Sequence, residues 1–156
     1  QKAFLFDTDF IFLLSLMIVD GTDNVDYFLY KFNISKKNQK RIKIIDKFFK
    51  EKKNISTFSE KNMNKIFYYS GRQAVIDILQ FRIINSKKFD KKLMELIKIY
   101  KDKISPIMPV RADVLMTKYK IPEGKQLGLK LKIIEDEWVK NDFKISEEQI
   151  EQIVNN

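Results

Sequence analysis

Apolar residues along this chain recur at three- and four-residue spacing, and no stretch alternates apolar with polar as a half-buried strand does. Only four glycines and three prolines interrupt 156 residues, so helix is the reading nearly throughout. The first helix is expected from about Thr8 to Val19, capped by Asp7 or Thr8 and stopped at Gly21. A short one follows from Val25 to Phe32. Ser35 then caps a long helix running to about Lys53, with Ile42, Ile45 and Phe49 on its apolar side. Thr57 and Glu60 have capping-box spacing ahead of a helix that ends near Ser70. Gly71 marks a turn, and Arg72 to Asn85 carries Val75, Ile78, Leu79 and Ile83 at helical spacing. Lys91 to Lys103 is the next helix, ended by Pro106 and Pro109. Beyond these prolines, Arg111 to Tyr119 is short, Pro122 opens a long helix with Leu127, Leu131, Ile134 and Trp138 on one stripe, and Ser146 with Gln149 caps the last. The fold class is all-α, a multi-helix body followed by a small helical tail with no sheet. The expected division is 1–55, 56–105 and 106–156.

Composition narrows the chemistry. Cysteine and histidine are both absent, which removes disulfides, thiolate metal sites, cysteine nucleophiles and any imidazole base. A formal net charge of +9 suggests a polyanionic partner. Four arginines stand among 30 basic residues, and the wealth of lysine, asparagine, isoleucine and phenylalanine is also what an AT-rich genome encodes. Lysine acts on phosphate as a point charge, so shape recognition is favoured over reading of base edges. The longest apolar run, residues 10 to 19, is too short to span a bilayer and reads as a buried helix. No membrane association is expected, a cytoplasmic location is the default, and the start at Gln1 suggests a piece of a longer protein.

Three constellations carry candidate chemistry. Asp7 and Asp9, two apart, have a spacing that can hold Mg²⁺ when a strand presents it. An apolar helix follows at once here, so acids favoured by the helix dipole explain the pair better. Lys36, Lys40, Lys43, Lys47 and Lys50 recur at intervals of four and three, and residues 36–53 hold nine basic groups against Asp46 and Glu51. This stripe is either a solvated face or a track for phosphates. Finally, Gly124 and Gly128 leave one side of a helix start bare, with Lys125, Lys130 and Lys132 around it. Free N–H groups and absent side chains let a sugar-phosphate backbone approach, while close helix packing is the alternative use of the same glycines. Trp138 is expected in the core. Acids gather at the far end, from Glu135 to Glu151, so the beginning of the long tail helix faces the polyanion.

These segments resemble a known family. "MPVRADVLMTKYKIPEGKQLGLKLKIIEDEWVKNDFKISEEQI" is similar to the C-terminal tail of class II tRNA nucleotidyltransferases, the CCA-adding enzymes, and of the related bacterial poly(A) polymerases. Asp113, Gly124, Lys125, Gly128, Trp138 and Phe143 fall in the family's order. "YKFNISKKNQKRIKIIDKF" and "YYSGRQAVIDILQF" resemble segments of its helical body, with Gly71, Arg72, Ala74 and Asp77 in matching places. The resemblance covers about residues 27 to 150. The family's glycine-rich nucleotide loop, its metal-holding carboxylates and its nucleotide-reading neck have no counterpart here. What the resemblance implies is a tRNA-binding portion without catalytic or metal residues of its own, the Mg²⁺ and the catalytic head belonging to the parent enzyme. The residues expected to meet RNA are Lys36, Lys40, Lys43, Lys47, Arg72, Arg111, Gly124, Lys125 and Lys132. A helical protein-interaction adaptor is the rival reading.

Overall fold

A computed structural model describes residues 8–51, 58–86 and 90–155, which form nine helices and no strand. The all-α expectation is therefore met. The helices are α1 (Phe10–Ile18), α2 (Asn24–Lys31), α3 (Lys36–Glu51), α4 (Glu60–Ser70), α5 (Arg72–Asn85), α6 (Lys91–Asp102), α7 (Ala112–Lys118), α8 (Lys125–Lys140) and α9 (Glu147–Asn155). Two compact units result, Gln1–Lys103 and Ile104–Asn156. None of the described helices is long and apolar enough to cross a membrane.

In the first unit α3 and α5 are the shared walls of two apolar clusters. On one side Phe12, Val25, Leu29, Ile42, Ile45 and Phe81 pack together, joining α1 and α2 to α3 and α5. On the other, Phe48, Met63, Phe67, Ile78, Leu96 and Tyr100 join α3 and α5 to α4 and α6. Helices before and after residue 56 thus share one core, because Phe48, Phe58 and Met63 lie in the same cluster. Tyr100, fully buried, satisfies its hydroxyl on the Asn64 side-chain oxygen at 2.6 Å. A single residue separates α4 from α5. Gly71 sits there at φ 86°, a left-handed region in which a side chain is strained.

Several helix ends differ from the expected ones. Asp9, not Asp7 or Thr8, caps α1, accepting from the Phe12 N–H at 2.9 Å; Asp7 lies outside the described residues. Thr57 and Lys53 are likewise outside them, and the α4 cap is Ser59, which accepts from the Asn62 N–H. Ser35 caps α3 through the Asn38 N–H.

The second unit closes around Val110, Leu115, Ile121, Leu127 and Ile134. Pro122 does not open α8. Gly124, at φ 141°, interrupts the chain, and the helix begins only at Lys125. Ser146 and Gln149 cap α9 reciprocally, at 2.9 and 3.2 Å, the box expected from their spacing. Trp138 is buried and meets the Phe143 ring at a centroid distance of 5.0 Å. Phe143 reaches it by adopting φ 63°, directly after Asp142 at φ 58°, and its N–H bonds the Trp138 carbonyl at 2.8 Å.

Candidate nucleic-acid interface

The basic stripe on α3 exists, but its two halves differ. Lys36, Lys40, Lys43 and Lys47 are exposed, while Lys50 is half-buried against Asp46 at 2.8 Å. Lys43 lies 3.7 Å from Asp26 and Lys47 3.8 Å from Glu51, both exposed pairs of small energetic weight. Lys36, Lys37 and Lys40 make no ion pair among the described residues. No acid stands in the first turn of α3 either. Lys36 and Lys37 therefore crowd the positive end of the helix dipole, where they destabilise the helix unless an anion joins them, and Lys40 follows just beyond the first turn.

Arg41 explains why the stripe is held in place. Its Nε and Nη2 donate to the two carboxylate oxygens of Asp77, at 2.6 and 2.9 Å, and its Nη1 donates to Asp9 at 2.5 Å. Gln73 adds a donor to Asp77 at 2.9 Å. Asp77, fully buried on α5, thus has its charge compensated by a bidentate guanidinium from α3, and α1 is tied in through its own cap residue. The hydrogen bond to Asp77 is the main reason the Arg41 guanidinium holds its proton more tightly than usual. For Asp9, burial pushes the carboxyl upward, but the Arg41 hydrogen bond, the Phe12 N–H and the arginine's charge together hold it below its ordinary value. None of this cluster was among the expected interface residues. The signal was present in the sequence: an aspartate inside "AVIDILQF" must be buried, and a buried carboxylate calls for a rigid, always-charged partner such as one of the four arginines.

Arg72, at the first position of α5, is exposed, and one of its Nη atoms donates to the Lys103 carbonyl at 3.0 Å. It closes the end of α6 as well as presenting charge. Lys103 in turn bonds the Asn64 side chain at 2.6 Å.

In the second unit, Arg111 is exposed just before α7 and Lys125, Gly128 and Lys132 lie on one exposed side of α8 with Leu129 and Ile133. Apart from the local backbone, no atom of the described residues lies within 4 Å of where a Cβ would stand on Gly124 or Gly128. Among the described residues no helix packs closely on these glycines, and within the second unit the start of α8 is bare. Lys130 departs from the expectation. Its Nζ donates to the Ile153 carbonyl at 3.0 Å, so it ties α9 to α8. Gly124 supplies no side-chain cap and the first turn of α8 has no acid, the same uncompensated helix start as α3.

No family model, no curated protein and no solved structure matches this chain. Among the described residues no group of acids is arranged to hold a metal ion.

Proposed function

We propose that this chain binds structured RNA, tRNA in particular, as the helical, non-catalytic portion of a nucleotidyltransferase of the CCA-adding and poly(A) polymerase type. One observation carries the binding: α3 opens with Lys36 and Lys37 in its first turn, at the positive end of its dipole, and Lys40 just beyond, all three exposed and without an ion pair among the described residues. A phosphate track relieves that repulsion. The bare start of α8 with Lys125 and Lys132, and Arg111 beside α7, supplies a second surface of the same character. Lysines meeting ribose and phosphate read A-form shape rather than base sequence. The enzyme assignment rests on the order of the motifs in the sequence. It leaves Mg²⁺ and nucleotide selection to a catalytic head in the same parent polypeptide. This chain alone is expected to incorporate no labelled ATP or CTP.

Fluorescence anisotropy with labelled tRNA tests the binding. If six or more phosphates are neutralised, affinity falls by about a thousandfold or more between about 50 and 200 mM salt. Flat affinity across that range overturns the reading. The adaptor reading draws on a different observation, the row of Phe10, Leu13 and Met17 along α1, with Phe10 74% and Met17 79% exposed.

A further inference from the structure

Two cavities lie end to end beside α3. The first, about 450 Å³, has Lys37, Asn38 and Lys40 on one wall and Gln73 and Ala74, from the start of α5, on the other. The second, about 300 Å³, is floored by Ile44, Phe48, Ile66 and Ile78 and closed by Lys47 and Glu51. Ile44 and Ser70 line both, so the two form one groove between α3 and the bend from α4 into α5.

Its halves differ in chemistry. The first is cationic: the Arg41 charge is answered by Asp77 and Asp9, but Lys37 and Lys40 have no acid against them among the described residues. The α5 start on the opposite wall has no side-chain cap. The second half is apolar over one to two helical turns, because Ile44 and Phe48 follow Lys40 at intervals of four residues, about 6 Å each. At that end, among the described residues, the side chains of Lys47 and Glu51 line the groove. An acyl chain would lay its apolar end against those charged side chains. A nucleobase has apolar faces and hydrogen-bonding edges, so it suits a floor bounded by charge at both ends.

We infer that this groove takes a single unpaired nucleotide, its phosphate at Lys37 and Lys40 and its base on Ile44 and the Phe48 edge of the floor. The inference rests on the RNA-binding reading only for the source of that nucleotide, since a splayed-out base of an RNA and a free nucleoside 5′-phosphate offer the same chemistry.

The test is an amide chemical-shift titration of the isotope-labelled chain with AMP, adenosine, inorganic phosphate and a short oligo(A). AMP shifts the amides of Lys40, Ile44, Ser70 and Gln73 and binds at least tenfold more tightly than adenosine or phosphate. Tighter binding of oligo(A) at the same amides marks an RNA source, and tighter binding of AMP a free nucleotide. Ile44→Glu and Lys40→Glu each remove the AMP shifts with the far-UV circular dichroism retained; should Ile44→Glu unfold, the Lys40→Glu arm decides. Equal affinity for AMP and phosphate, shifts confined to other surfaces, or groove-dependent binding to phosphatidylglycerol vesicles that AMP does not displace overturns the proposal. AMP in the groove without tRNA binding removes only the tRNA reading, and tRNA binding with a silent groove removes only this one.

Discussion

At the scale of single residues, the decisive group is one carboxylate. Asp77 is 0% exposed, and Arg41 is what makes its charge tolerable there. Arg41→Met leaves that charge buried with only Gln73 as a donor, and is expected to destabilise the first unit by about 3–5 kcal/mol, read as a lowered denaturant midpoint. Replacing both partners with apolar residues costs much less, because no charge is then stranded. Asp9 gives a pH signature. Its carboxyl is held below its unfolded value, so its contribution is complete at neutral pH, above that unfolded value, and is lost as pH falls through the depressed folded one. Asp9→Asn keeps a capping side chain, and its melting temperature is expected to lie below the parent's at neutral pH and to converge with it under acid. The burial of Trp138 was readable from its place on an apolar stripe. The left-handed backbone of Asp142 and Phe143 was not, since nothing in "NDFK" signals a conformation that non-glycine residues avoid.

At the scale of helices, stability and the proposed RNA binding pull in opposite directions at two places. Lys36 sits at the positive end of α3, so Lys36→Glu is expected to raise stability by about 0.3–1 kcal/mol through the dipole and, if the proposed interface is right, to weaken tRNA binding. Gly128 lies inside α8 with open space at its Cβ position, so Gly128→Ala is expected to raise stability by about 0.5–1 kcal/mol. If the bare surface admits a sugar-phosphate backbone, the same change lowers affinity for tRNA. Thermal melts and anisotropy on one set of samples check both pairs, and a Gly128→Ala variant that gains stability with unchanged affinity removes α8 from the interface. Helix existence was legible from periodicity in every case among the described residues. Helix starts were less so: Pro122 advertised a first turn that Gly124 delays to Lys125, and Ser59 rather than Thr57 supplies the α4 cap. Capping depends on which side chain the backbone turns toward the free N–H groups, and several polar candidates stood in a row.

At the scale of the molecule, each of the two units has its own apolar core. The second is small enough to sit near the limit at which a core alone sustains folding. The chain's only tryptophan lies in it, so Trp138 fluorescence reports that unit alone while far-UV circular dichroism reports all the helices. The fluorescence midpoint on heating is expected below the dichroism midpoint, whereas coincident curves would mean a single cooperative body. The proline pair at 106 and 109 marked the passage between units in the sequence, but the common core of residues on either side of position 56 needs tertiary packing to be seen. The basic faces were legible as charge; which lysines already have acidic neighbours was not, because Asp26 approaches Lys43 from another helix. Through Arg41, α3 is fastened to both α1 and α5, so the backbone positions that carry its lysines are spaced at a set pitch like marks on a ruler. A ruler favours stiff partners whose own charges keep a fixed spacing. Duplex RNA should therefore outcompete heparin or polyphosphate of equal charge for this surface, and loosening the fastening should erase that preference before it erases attraction to polyanions in general.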